Sequence, residues 1–111
     1  ILAQELVARI LVAETADADA ADIISYLNLK AGHEIAAKYV AAFEEVYERL
    51  AVYPQSGSSR KILGPQVRIN IVSPFVIIYE YSEANDLVTI LRILHGHRKM
   101  SPRLLLPEEP R

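Results

Sequence analysis

The sequence predicts an α+β fold, in which a helical hairpin packs on a curved antiparallel sheet in the order β-α-α-β-β-β. Two observations support this prediction. Apolar residues recur at helical spacing through most of the first half of the chain, and at alternate positions through most of the second half. The chain has 111 residues, of which 51% are hydrophobic, so it can bury one core and is too short for two.

The first two predicted elements are a short strand and a helix. Residues 9–13 (RILVA) are apolar and partly β-branched, which predicts the strand. Thr15 or Asp17 is expected to cap the helix, because a short side-chain oxygen accepts hydrogen bonds from the free amides of a first turn. This helix is predicted to end near Asn28. Its predicted buried face consists of Ala20, Ile23, Ile24 and Leu27.

A second, longer helix is predicted over residues 33–52, after a break at Gly32. Its predicted buried face consists of Ala36, Val40, Phe43, Tyr47 and Leu50, which are spaced by three and four residues. Because the link between the helices is so short, they are expected to form an antiparallel hairpin. Pro54 ends the second helix, and residues 55–59 (QSGSS) are expected to form a loop.

The second half contains three predicted strands, in which apolar side chains alternate along the chain. These strands cover residues 67–72, 75–81 and 87–94. The short linkers Ser73-Pro74 and 83–86 predict an antiparallel meander, one face of which covers the helical hairpin.

The two ends of the chain are expected to lie outside this core. Residues 101–111 contain three prolines and are predicted to be a tail that leaves the core. The predicted organisation is an N-terminal extension over 1–8, a single domain over 9–99 and a C-terminal tail over 100–111. No apolar run approaches the roughly 20 residues that span a bilayer, so no membrane partner is expected.

Charge is distributed unevenly. Residues 1–50 carry nine acidic and four basic side chains, whereas residues 51–111 carry eight basic and five acidic ones. Either an anionic partner meets the second half, or helix surfaces simply favour glutamate, and composition leaves both explanations open. The chain has no cysteine, which excludes disulfides, thiolate metal ligands and a cysteine nucleophile.

Basic and imidazole side chains are the candidates for chemistry. A nuclease needs groups that move a proton and hold developing charge, and Arg60, Arg68, Arg92 and His95 are of those types. Arg68 and Arg92 have the strand parity to project from one sheet face. The alternative is that these groups are solvated or paired with carboxylates. No metal or cofactor is expected, because His95 and His97 lack a third ligand at a usual spacing and no phosphate-binding glycine loop is present.

Four motifs, in order along the chain, resemble the RelE/ParE family of toxins from type II toxin–antitoxin systems. They are DAADIISYL at 19–27, LAVYPQSG at 50–57, Arg68 followed by PFVIIY at 74–79, and VTILRILHGHR at 88–98. The resemblance as a whole spans residues 9–99, and the family's fold has the element order predicted above. The resemblance therefore implies a toxin of this α+β fold.

The closing residues 94–98 (LHGHR) are similar to the ParE branch of that family. RelE-like members tend to place a catalytic tyrosine after the last strand, whereas no tyrosine follows Tyr81 here. The resemblance thus implies a cytoplasmic toxin of a ParDE-like plasmid-stabilisation system, which poisons DNA gyrase without a catalytic site of its own. Two alternatives stay open: a RelE-like, ribosome-dependent messenger RNA endoribonuclease that uses the four residues named above, and an inactive or non-toxic interaction module.

The resemblance also implies a cognate ParD-like antitoxin, in a heterotetramer or a larger complex. The predicted partner-binding residues are Arg68, Arg92, His95, His97, Arg98, Ala37 and Ala41. Alanines in the second helix permit close approach of a partner helix, and the basic half suits an acidic tail. The alternative is that the alanines serve packing within the hairpin. No direct sequence-specific DNA binding is expected, because the basic cluster 95–103 is short and lacks aromatic side chains for stacking.

Overall fold

The computed structural model describes residues 7–106 and confirms the α+β class, the helical hairpin and the three-stranded meander. The elements are β1 (Arg9–Val12), α1 (Glu14–Ala31), α2 (His33–Val52), β2 (Ser58–Ser59), β3 (Val67–Val72), β4 (Phe75–Ser82), β5 (Leu87–His95) and a 3-10 helix (Pro102–Leu105). The strands form one sheet in the order β1-β5-β4-β3-β2. No helix in this described range is long and apolar enough to cross a membrane.

The sheet is mixed, because β1 joins it in parallel. Arg9 lies opposite Leu87, so the first strand pairs with the last one along the chain. The meander β3-β4-β5 is antiparallel, as predicted. β2 is an addition to the prediction: Ser58 and Ser59 pair with β3 inside the stretch expected to be a loop. Two polar residues have no periodicity, so the sequence contained no signal for this strand.

The sheet separates two apolar clusters. The front cluster, between the sheet and the helices, includes Ala16, Phe43, Val46, Leu50, Phe75, Ile77, Tyr79, Val88, Ile90 and Ile93. The back cluster consists of Leu63, Val67, Ile69, Val76, Ile78, Leu94 and Leu104. β4 lies between them and is buried on both faces from Phe75 to Tyr79, which explains its continuous apolar sequence.

The helices depart from the prediction in detail. No side-chain cap precedes α1: the helix starts at Glu14, and the Thr15 hydroxyl instead donates to the Leu91 carbonyl at 3.0 Å. The expected capping by Thr15 or Asp17 is therefore wrong. The helix also runs on to Ala31, past the predicted end. In α2, Val46 is buried to 3% exposure, while Val40, which was predicted to be buried, is 39% exposed.

Residues 101–106 pack on the back of the sheet. The 3-10 helix places Leu104 in the back cluster, where it is 7% exposed. The expectation that this stretch leaves the core is wrong for these residues, because Leu104 and Leu105 supply apolar cover for the back face. Residues 107–111 of the predicted tail and residues 1–6 of the predicted extension lie outside the described residues.

Candidate functional site

Arg68 and Arg92 lie on opposite faces of the sheet. Arg68 pairs with Tyr79, which belongs to the front cluster, whereas Arg92 pairs with Ile78, which belongs to the back cluster. The register between β4 and β5 shifts at this point and leaves Leu91 as an extra residue on β5. One extra residue reverses the parity of a strand. The prediction that both arginines project from one face is therefore wrong.

The guanidinium of Arg92 forms an ion pair inside the fold. Its Nε and Nη2 atoms donate to both carboxylate oxygens of Asp19, at 2.7 and 2.9 Å. The side chains of Arg92 and Asp19 are only 13% and 14% exposed. Asp19 also accepts a hydrogen bond from the Ile93 N–H at 3.0 Å. The pairing of β1 with β5 ends at Val12 and Ile90, so this amide lies beyond the reach of β1. Two parallel charge-assisted hydrogen bonds fix both partners, so this ion pair ties α1 to β5.

Arg68 and Tyr79 organise the loop between α2 and the sheet. The fully buried Tyr79 hydroxyl accepts the Gly57 N–H and donates to the Pro54 carbonyl, both at 2.9 Å. Arg68 Nη1 donates to the carbonyls of Gln55 and Gly57, at 3.1 and 2.8 Å. Burial raises the pKa of the Tyr79 hydroxyl above its ordinary 10.0, against smaller opposing effects of Gly57 and Arg68. These motif residues therefore hold structure at this junction.

Stability is expected to fall above about pH 10 more steeply in the wild type than in Tyr79→Phe. The folded state raises the pKa of this hydroxyl, so its contribution is fully present below the unfolded pKa and is lost as pH rises through the folded pKa. At neutral pH the free energy of unfolding of the variant is expected to be about 1–3 kcal/mol lower, because the Gly57 amide and the Pro54 carbonyl lose their hydrogen-bond partner.

Urea unfolding of both proteins at about pH 8 and about pH 10.5 measures this effect. The stability difference between them should narrow at the higher pH. Tyr47 and Tyr81, whose pKa values are also raised, are present in both proteins and contribute equally. A difference that stays constant with pH would contradict the prediction.

His95 is the last residue of β5, and His97 and Arg98 lie in the turn that follows it; all three are exposed. The two imidazole rings stack, with centroids 4.4 Å apart and planes at 21°. The His97 N–H donates to His95 Nδ1 at 3.2 Å, and the Arg98 N–H donates to the His95 carbonyl at 3.0 Å. The His95 ring also meets Phe75 at a centroid distance of 6.0 Å. The turn therefore presents ordered imidazoles beside an exposed guanidinium.

The four residues of the nuclease alternative do not converge. Arg68 and His95 pair with β4 residues that are four positions apart, which is about 13 Å along the strand. Arg92 is on the back face. Arg60 follows β2, and its guanidinium donates a hydrogen bond to the Ser59 carbonyl at 3.0 Å. In the part of the chain that the structure describes, no three histidine or carboxylate side chains are grouped to hold a metal ion. The arrangement does not form a shared acid–base and phosphate-holding site.

An apolar groove opens between α1, α2 and β1, with a volume of about 350 Å³. It is lined by Val12, Asp17, Ala20, Ala21, Ile24, Val40, Phe43, Glu44 and Tyr47. Burial raises the pKa of the Tyr47 hydroxyl, and the Asp17 and Glu44 carboxylates raise it further. The helix groove, as we name it, is thus apolar inside and negative at its rim. Ala37 and Ala41 are exposed on α2, each three residues before a lining residue.

Two solved structures from toxin–antitoxin systems share this architecture. Over 80% of its length the chain is similar to a chromosomal ParDE toxin–antitoxin system from P. aeruginosa, with a TM-score of 0.67, 24% identity and 96% of that chain covered. It is also similar to the toxin–antitoxin complex RelBE2 from Mycobacterium tuberculosis, with a TM-score of 0.58, 19% identity and 98% of that chain covered. At these identities the similarity concerns the fold alone.

Sequence comparison identifies the family. The model of the family described as the ParE toxin of the type II toxin–antitoxin system parDE matches residues 10–100. Toxin ParE3 from Caulobacter vibrioides is 32% identical over 73 residues, which are 66% of this chain and 71% of that protein. This chain therefore belongs to the ParE toxin family of type II toxin–antitoxin systems, which confirms the resemblance drawn from the four motifs.

Proposed function

We propose that this ParE-family toxin arrests growth by poisoning DNA gyrase in the cytoplasm. The observation that carries the choice of target is that the candidate nuclease residues form no common site. Arg92 is paired with Asp19, and Arg68 is bonded to backbone carbonyls. A toxin that inhibits a large enzyme by binding needs an exposed surface rather than a catalytic centre, and this chain offers such a surface at the turn after β5.

The test compares the two targets directly. The purified chain is incubated with gyrase and supercoiled DNA, and separately with programmed ribosomes. We expect gyrase-cleaved DNA to accumulate and messenger RNA to stay intact. Cleavage of messenger RNA in the ribosomal A site, with gyrase unaffected, would replace this proposal with the RelE-like nuclease. Absence of both effects, with no growth arrest on induction, would favour the non-toxic module.

We propose further that a ParD-like antitoxin neutralises the toxin by docking in the helix groove. The groove is apolar and open, and both structural relatives described above are toxin–antitoxin systems. Because Asp17 and Glu44 stand at its rim, the docking segment is expected to carry a lysine or arginine beside its apolar side chains. The assembly as a heterotetramer or larger, and the partner roles of the other residues named from the sequence, are predictions of the same kind.

Ala21→Arg is expected to weaken antitoxin binding at least about tenfold, because the long side chain would occupy the groove. Ala18→Arg is the matched control: the same substitution at an exposed position of the same helix that does not line the groove. Titration calorimetry with the co-expressed antitoxin measures both affinities. Growth arrest by the variant should persist and should no longer be relieved by the antitoxin. Equal affinities for the two variants would rule out this docking site.

A further inference from the structure

The stretch from β5 onward carries positive charge without compensation. From residue 87 to residue 106 the sequence has four basic side chains and no acidic one. Arg92 is neutralised by Asp19. The other three are exposed, and within the described residues none of them has a carboxylate at ion-pairing distance. With the two stacked histidines these three side chains lie on one nine-residue segment, 95–103, and we name them the basic patch: His95, His97, Arg98, Lys99 and Arg103.

The fold holds the basic patch on one compact piece of chain. At the turn, the Gly96 N–H donates to the Pro74 carbonyl at 2.7 Å. The 3-10 helix then returns to the sheet, where Leu104 is buried and its carbonyl accepts a hydrogen bond from Arg92 at 2.8 Å. The segment is therefore fastened at both ends. A surface that is already ordered loses less conformational entropy when a partner binds.

The acidic groups of the sheet lie at its other end. Glu80, Glu83 and Asp86 surround the turn between β4 and β5. This turn and His95 lie at opposite ends of β5. At the usual rise of a strand the two ends are about 30 Å apart. Along the sheet the cations therefore lie at one end and the carboxylates at the other, so a polyanion is expected to approach the sheet at its His95 end.

The composition of the basic patch favours phosphate over peptide. Between His95 and Arg103 no large hydrophobic side chain is exposed, whereas protein interfaces bury an apolar centre. Phosphate oxygens need only cations and hydrogen-bond donors, which guanidinium, ammonium and imidazole groups supply. We infer that the basic patch binds the phosphate backbone of duplex DNA without reading its sequence. This inference rests on the proposed function, in which the DNA is the segment held by gyrase.

The experiment is fluorescence anisotropy of a random-sequence duplex of about 20 base pairs, titrated with the full chain at several salt concentrations. Each neutralised phosphate contributes about 0.9 to the slope of log K against log salt, so Arg98→Gln with Lys99→Gln is expected to reduce the slope by about 1.8. At low salt the affinity should fall at least about tenfold. The control double variant, Arg9→Gln with Arg49→Gln, removes the same charge from exposed positions outside the patch and should keep the wild-type slope.

Equal losses of slope in the two double variants would overturn the inference. So would a polyglutamate peptide that binds as tightly as the duplex, because the partner would then be an acidic peptide. Gyrase assays on the same proteins separate this inference from the proposed function. If the chain binds duplex DNA and leaves gyrase unaffected, the role of the basic patch is supported and gyrase is ruled out as the target. If the chain poisons gyrase without binding duplex DNA, only the role of the basic patch is overturned.

Discussion

Arg92→Ala is expected to lower the free energy of unfolding by about 3 kcal/mol. The variant removes the guanidinium from the Asp19 carboxylate, which is only 14% exposed and keeps its hydrogen bond from the Ile93 amide. Removing one member of an enclosed ion pair costs more than the pair itself contributes, because the other charge stays out of water without compensation. Urea unfolding followed by circular dichroism at neutral pH measures the change.

The chain offers a matched control in Arg49→Ala. Arg49 meets Glu45 at 3.8 Å, with side chains 43% and 77% exposed, and it also makes an exposed hydrogen bond of 3.3 Å to Asn70 Oδ1. Because solvent screens such a pair, its loss is expected to cost less than about 1 kcal/mol. A cost for Arg92→Ala as small as that for Arg49→Ala would show that the pair with Asp19 does not tie the helix to the sheet.

Gly57→Ala is expected to lower the free energy of unfolding by about 3 kcal/mol, chiefly because the added methyl group would clash with its neighbours. A Cβ at this position would lie 2.5 Å from the Ile69 carbonyl oxygen and 2.6 Å from the Tyr79 hydroxyl. The first is strand backbone and the second belongs to a fully buried ring, so neither can retreat without breaking other contacts. The shift would also disturb the hydrogen bonds that Arg68 makes to this loop. Thermal and urea unfolding measure the loss.

Gly32→Ala serves as the contrasting variant. Gly32 has a φ of +93°, and a Cβ added there would have nothing within 4 Å, so its substitution is opposed by backbone conformation alone. That effect is expected to lower the free energy of unfolding by about 1–3 kcal/mol. If Gly57→Ala destabilises the protein no more than Gly32→Ala does, then the tight packing of Gly57 against Ile69 and Tyr79 is not what requires a glycine at this position.

The sequence predicted the elements whose signals are local. The bounds of α2 and the order of the meander follow from periodicity and from turn residues, and both agree with the structure. The buried face of α2 was less accurate: Val46 faces the sheet while Val40 opens onto the helix groove. Periodicity gives the angle of an apolar stripe, but the position of neighbouring elements decides which edge of the stripe is covered.

The placement of the candidate site residues depended on features that no local pattern contains. A single extra residue at Leu91 moved Arg92 to the back face, where it meets Asp19 from the opposite end of the chain. The motif singled out Arg68, and its bonds to the loop at Gly57 show a structural role there. Both partnerships join residues separated in sequence, so only the assembled sheet reveals them.

The pairing of the first strand with the last has a consequence for synthesis. β1 leaves the ribosome well before β5, its only neighbour in the described sheet. Contacts between such distant segments form late, because the intervening chain must first be ordered. A nascent or truncated chain that stops before Leu87 lacks the strand that β1 needs. Premature termination upstream of Leu87 is therefore expected to release a fragment that cannot complete this sheet.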